Sequence, residues 1–243
     1  AKTYEQDTIV LDLDISYGTA ALNYNLQPRQ TIVDALTQIA RLDEAILDQY
    51  LVEYEEKLSI LTSPASLSIG LQLSAEPINA VMAIIKRMAD FIILDVPHGW
   101  EPWVREVLSD VEELVLISRP DLTNLRNAKN MVEFLGPTRG ADSRTRLVLN
   151  QVGAAKRTDL SDKDFKDALA LDPAISIPYD PEGFGRALNN GEMMSKASAK
   201  SKATVAIIEL AKIVSAREPE EEEKKGIFSM FKKDKKDNKD EKD

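Results

Sequence analysis

Two textures of apolar and polar positions alternate along the chain. Short apolar runs rich in β-branched residues recur at Thr8–Asp14, Lys57–Thr62, Phe91–Val96, Glu113–Ser118, Arg146–Asn150 and Ala174–Pro178. Several are apolar at successive positions, the pattern of strands covered on both faces, as in a parallel sheet. Between them lie stretches with helical spacing. Ile32–Leu47 predicts one or two short helices, and Ala75–Met88 carries an apolar stripe with a basic end. Trp103–Leu108, Leu122–Leu135, Asp162–Leu169, Phe184–Asn189 and Lys202–Val214 complete the set. Breakers at Pro28, Pro64, Gly136-Pro137, Asp172-Pro173 and Pro178–Pro181 separate the elements. Strands alternating with helices predict βαβ units with right-handed crossovers. The expected fold is α/β: a doubly wound, mostly parallel sheet with helices on both faces.

The pattern stops after Arg217, where EPEEEEKKGIFSMFKKDKKDNKDEKD is almost all charge. We expect a domain over residues 1–216 and a disordered tail over 217–243. At the other end, AKTYEQ reads as the end of a helix running into the first strand, so a segment is expected to precede Ala1.

Composition narrows the chemistry. The 243 residues include no cysteine and a single histidine, His98, which removes thiolate metal sites, disulfides and paired-histidine chemistry. No apolar run approaches the ~20 residues of a membrane span. A net charge of −10 argues against a duplex-DNA binder. The one mixed basic region, Arg119, Arg126, Lys129 and Arg139 to Arg146, does not change that, and nucleic acid is not an expected partner.

In an open parallel sheet, ligands bind beyond the carboxyl ends of the strands. The first strand ends in Asp12-Leu13-Asp14 and the third in Asp95-Val96-Pro97. Three carboxylates at neighbouring strand ends could share a hydrated magnesium ion. The fifth strand ends in Asn150 and the sixth in Pro178-Tyr179-Asp180; an asparagine amide can pair with a purine edge. Each also has a plainer reading as a cap or turn. A phosphate cradle needs clustered glycines and a lysine. None of the ten glycines is followed by lysine, and no GxxxxGK[ST] occurs.

At these residues the sequence resembles the MinD/ParA-type deviant P-loop ATPases. VLDLDISYGTAALNYNLQP is similar to their second motif, FIILDVPHGWEPWVREVL to their Walker B and switch segment, and RLVLNQVG with ISIPYDPEGFGRALNNGEMM to their base-binding strand ends. Within that group the details resemble the CpaE/TadZ pilus-assembly branch. Asp12, Asp14, Gly18, Ala20, Leu26, Pro28 and Arg29 fit its motif block, followed by Asp34-Ala35-Leu36 and Arg41-Leu42-Asp43-Glu44. Asp95, Pro97 and His98 fit too, as does the run ending in Asn189-Asn190-Gly191.

The resemblance implies a nucleotide-switched dimer using ATP/ADP and Mg2+, in a form carrying the P-loop that these residues lack. It gives Asp14 a catalytic role, orienting water or coupling it to dimerisation. Asp12 and Asp95 would stand near the metal or its waters; Asn150, Pro178, Tyr179 and Asp180 would flank the adenine. His98 is expected in a switch segment or a surface loop, and Trp100 and Trp103 as interface anchors or core. Ile227, Phe228, Met230 and Phe231, flanked by lysines within 224–233, form a short amphipathic segment suited to an anionic membrane or a partner. The function implied is organisation of a Tad/Flp pilus secretion machine by a homodimer with assembly-protein partners, cytoplasmic or peripheral to the inner membrane. The alternatives are a non-catalytic scaffold, or a partition or division-site positioning ATPase.

Overall fold

The computed structural model describes residues 1, 4–67 and 71–215. Among them seven strands form two half-sheets: β2 (Val52–Glu55), β3 (Leu58–Leu61), β1 (Thr8–Asp12) and β4 (Phe91–Asp95) in that order, then β5 (Glu113–Ser118), β6 (Arg144–Val152) and β7 (Pro173–Pro178). All pairings are parallel except β2 with β3. The fold is therefore the expected α/β one with a mostly parallel sheet.

Among the described residues, ten helices complete it. These are α1 (Ala20–Asn23), α2 (Ile32–Thr37), α3 (Glu44–Tyr50), α4 (Ala75–Ile85), α5 (Pro102–Asp110), α6 (Leu122–Leu135), α7 (Asp162–Leu169), α8 (Pro181–Asn190), α9 (Met194–Ala197) and α10 (Lys202–Ser215). Their ends are set locally. Asp121 accepts the Asn124 amide at the start of α6, and Ser161 and Asp164 form a capping box on α7. Asp180 accepts the Gly183 amide and Pro181 opens α8, a position where its missing N–H costs nothing.

The two faces differ. The crossovers through α4, α5, α6 and α7 all step the same way across the sheet, and right-handedness puts all four helices on one face. There the core is continuous. Leu11, Ile78, Val81, Trp103, Val104, Leu114 and Leu135 form one buried cluster that spans both half-sheets, with Leu147, Leu149 and Phe165 beside it. On the opposite face the core is broken. Val10, Ala20 and Ile60 pack under α1 at one side; Val148, Ile177, Ala203 and Ala206 pack under α10 at the other.

No backbone hydrogen bond joins β4 to β5. A cavity of about 1700 Å³ separates them, lined by both strands, Ala1, Tyr4, Trp100 and Phe134, and the end of α10. Ile93 of β4 is 53% exposed and Ile117 of β5 is 59% exposed, although strands at these positions should be covered on both faces.

Two elements depart from the sequence expectation, β1 and β2, and a third is made definite. The first strand stops at Asp12 rather than Asp14, because the chain turns there through Gly18 N–H to Asp14 C=O. The Ile32–Leu47 stretch is two helices joined by a single 3₁₀ turn, Ile39–Arg41. The edge strand β2 carries charges at Glu53 and Glu55 and lies antiparallel to β3.

Candidate functional site

The acid rim forms where β1 and β4 end side by side, with Asp12 in register with Asp95. Asp12 is fully buried. Its Oδ1 accepts the Asp14 amide at 3.1 Å; its Oδ2 accepts the Ala20 amide at 3.1 Å and the Ser63 hydroxyl at 2.8 Å. The carboxylate therefore pins the turn after β1 to the end of β3. Gly18 sits directly over it: a Cβ there would stand 2.0 Å from Ser63 Oγ and 2.4 Å from Asp12 Oδ2. This explains why the turn has glycine at 18 although its φ is ordinary.

Asp14 is half-buried in the same turn, where its Oδ1 accepts the Tyr17 amide at 2.9 Å. Asp95 opens toward the cavity. Partial burial first, then the charges of Asp12 and Asp14, pushes its carboxyl above the usual range. The three acids are thus electrostatic neighbours. Burial and hydrogen bonding occupy Asp12, so Asp95 is the member with an open side. Among the described residues no group of three acidic or histidine side chains could hold a metal directly. A cation at this rim would have to keep its waters and reach the protein through them.

Asn150 and the Pro178-Tyr179-Asp180 turn come together at the ends of β6 and β7, where the Tyr179 amide donates to Val152 C=O at 2.9 Å. Asn150 Oδ1 accepts the Gln151 amide, and Gln151 takes a left-handed φ of 61° at a register shift in the ladder. A non-glycine residue held there is locally strained, as is common beside ligand sites. Tyr179 is half-exposed; Asp180 is engaged as the α8 cap.

The two groups of strand ends are tied across the rim. Gly191, at φ +60° after α8, lies against Asn25 and the carbonyl of Leu22; a Cβ there would come 2.7 Å from Asn25 Cβ. His98 is exposed in the loop after β4. Trp103 is buried in the core, whereas Trp100 is 40% exposed and meets the Phe134 ring edge-on at 5.3 Å. Ile227, Phe228, Met230 and Phe231 lie outside the described residues, as does the tail from 216 onward.

Two hydroxyls outside the sequence candidates, Thr62 and Ser63, also belong to the site. Ser63 completes the Asp12 cluster, and Thr62 Oγ1 is buried without a hydrogen-bond partner among the described residues. The signal was available: two hydroxyls directly after an apolar strand, at the end where ligands bind.

No protein-family model matches the chain. The septum site-determining protein MinD of Synechocystis sp. is 25% identical over 189 residues, 75% of this chain and 69% of that protein. A ParA family ATPase from Chlorobium tepidum aligns with a TM-score of 0.76 at 20% identity, covering 85% of each chain. Pyrococcus horikoshii MinD, solved in complex with Mg-ADP, aligns with a TM-score of 0.67 at 20% identity over 86% of this chain and 84% of that one. The chain has the fold of the MinD/ParA-type P-loop ATPases. No helix among the described residues is long and apolar enough to cross a membrane.

Proposed function

We propose that this protein is a nucleotide-dependent positioning ATPase of the MinD/ParA kind, a switch whose dimer forms or dissolves with the state of a bound nucleotide. The observation that carries the reading is the acid rim: carboxylates from β1 and β4 converge at the end of the sheet where ligands bind, with Asp95 raised by its neighbours. Bound Mg2+ and ATP would supply the charge that offsets these acids and the phosphoryl bond that drives the switch. Asp95 accepts hydrogen bonds from the cation's waters. Asp12 acts through the turn it pins, keeping Asp14 and Gly18 in place. Asp14 orients water or couples the turn to the dimer partner. Asn150, Pro178, Tyr179 and Asp180 flank the base. The glycine-rich loop and its lysine are not among these 243 residues, and the reading requires them to be supplied by adjoining polypeptide.

The septum site-determining relatives favour a division-site or related positioning role over the pilus one. A second reading, organisation of a Tad/Flp-type pilus machine, rests on the sequence resemblance of the Asp12–Arg29 block, the stretches at 34–36 and 41–44, Asp95 with Pro97 and His98, and the run ending in Gly191. Under either, the segment 224–233 would give weak peripheral contact with the inner membrane, checked by liposome sedimentation with and without it.

The test is calorimetry with ATP and Mg2+ on the product of the reading frame from its own start codon, with Asp14→Ala beside it. We expect ATP binding by both and loss of ATP-dependent dimerisation or hydrolysis in Asp14→Ala. No heat of binding to the unsubstituted protein would refute the switch. A pull-down against division and pilus-secretion components separates the two readings.

A further inference from the structure

We propose that Asn190 is a modification site of the chain's own making: it deamidates at a rate set by the opening of the contact between α1 and α8, and the product keeps that contact open. The inference goes beyond the proposed function and involves no nucleotide.

Asn190-Gly191 is the one asparagine followed by glycine in the chain. The reaction is intramolecular. The Gly191 nitrogen gives its proton to solvent base and attacks Asn190 Cγ. A C–N bond forms, the carboxamide C–N bond breaks, and ammonia leaves with a proton from solvent. Water then opens the five-membered imide at one of its two carbonyls, giving aspartate or isoaspartate. One water is consumed and one ammonia released, and nothing else enters. Glycine in the second place favours ring closure, because no Cβ stands beside the attacking nitrogen.

The fold both requires this pair and restrains it. Helix α8 ends in a Schellman motif: the Glu192 N–H donates to Ala187 C=O at 2.9 Å, and the Gly191 N–H to Leu188 C=O at 3.2 Å. Gly191 has φ +60° and ψ +44°, and a Cβ there would stand 2.7 Å from Asn25 Cβ and 3.2 Å from Asn25 N. Left-handed geometry and the close approach of the chain after α1 both call for glycine. The contact that needs Gly191 thereby supplies the reactive neighbour of Asn190. Asn190 is exposed, so only the backbone holds it back. It is the last residue of α8, and ring closure must turn its ψ out of the helical range. Closure must also take the Gly191 nitrogen away from Leu188. Both releases amount to one event, the undoing of the α8 end where it meets α1.

The products do not restore that end. Isoaspartate adds a carbon to the main chain between 190 and 191, which puts Gly191 out of step with its two anchors. Aspartate places a carboxylate at the C-terminal end of a helix, where the dipole disfavours it.

The test ages the 243-residue chain without nucleotide, in native buffer and in guanidinium chloride, and measures conversion and isoaspartate at 190 by peptide mass mapping. Ala187→Gly weakens the last turn of α8 and leaves the reactive pair intact; Asn190→Gln is the unreactive control. We expect native conversion at least about tenfold slower than in the denatured chain. Ala187→Gly should speed native conversion about fivefold, the factor that corresponds to the helix penalty of an interior glycine. Hydrogen exchange of 20–26 and 186–192 should quicken in step with isoaspartate, and not in equally aged Asn190→Gln. The first and third measurements need no substitution in the reacting chain. Equal native and denatured rates overturn the proposal. So does an unchanged rate in Ala187→Gly when its α8 exchange is faster, or isoaspartate at 190 with exchange of 20–26 unaltered.

Discussion

Replacing Asp12 with asparagine separates a pinned turn from a metal ligand. The carboxylate accepts three hydrogen bonds, two from backbone amides and one from Ser63, with no exposure to water. An asparagine has one acceptor oxygen. With that oxygen toward Ala20 and Ser63, its NH2 faces the Asp14 amide, donor against donor. With the opposite rotamer it faces the Ala20 amide, while Ser63 can turn to accept. The better arrangement loses at least one bond to a charged acceptor, about 1.5–3 kcal/mol. For a body of this size each kcal/mol moves the melting temperature by about 2–4 °C, so the expected fall is roughly 3–12 °C in metal-free buffer. Exchange of the Asp14 or Ala20 amide should quicken. The loss of charge should also lower the Asp95 carboxyl toward its ordinary value, since Asp12 is one of the groups that raises it. If Asp12 acted chiefly as a metal ligand, asparagine would relieve repulsion and leave the metal-free protein as stable or more so. A melting temperature at or above the unsubstituted value, with Ala20 exchange unchanged, would refute the pinning.

Asp95→Asn should act in the opposite direction. A carboxyl raised in the folded state makes the folded chain bind more protons than the unfolded one between the ordinary and raised values, so stability falls as pH rises through that window. The asparagine variant should lose this decline and be the more stable of the two at neutral pH, read from melting curves across pH. Gly191→Ala forces a left-handed φ on a residue with a Cβ and drives it against Asn25; we expect a loss of about 1–3 kcal/mol by chemical denaturation. Asp121→Ala removes the α6 cap at a cost of about 1 kcal/mol. Hydrogen bonds from the Asn124 amide and side chain hold the Asp121 carboxyl below its usual range, so its contribution is present above the ordinary carboxylate value and lost as pH falls toward the depressed one. The difference between Asp121→Ala and the unsubstituted protein should therefore shrink in acid.

Elements whose ends are set by their own residues were legible in the sequence. The α6 and α7 boundaries agree with the helical pattern because Asp121, Ser161 and Asp164 cap them from within, and β5 follows its apolar run. What depended on distant partners was not. The strand β2 has only Val52 and Tyr54 against two glutamates and forms because β3 offers an edge. The four-residue helices α1 and α9 are too short for a periodic signal. In the site, the strand-end acids were visible as a motif. The burial of Asp12 was not, since it follows from Ser63, 51 residues away. The exposure of Ile93 and Ile117 does not show in their apolar runs, which read alike for a covered and an open strand face.

The clasp between Gly191 and Asn25 bears on how the molecule breathes. The half-sheets share a spine on the α5–α6 side, where apolar packing is continuous. On the other side α1 meets α8. Loosening that clasp would let the two boards swing apart about the spine while each kept its own ladder of hydrogen bonds. The inner margins, β4 and β5, would then loosen well before β1 and β6, and the distance from the acid rim to the Tyr179 turn would vary with the hinge.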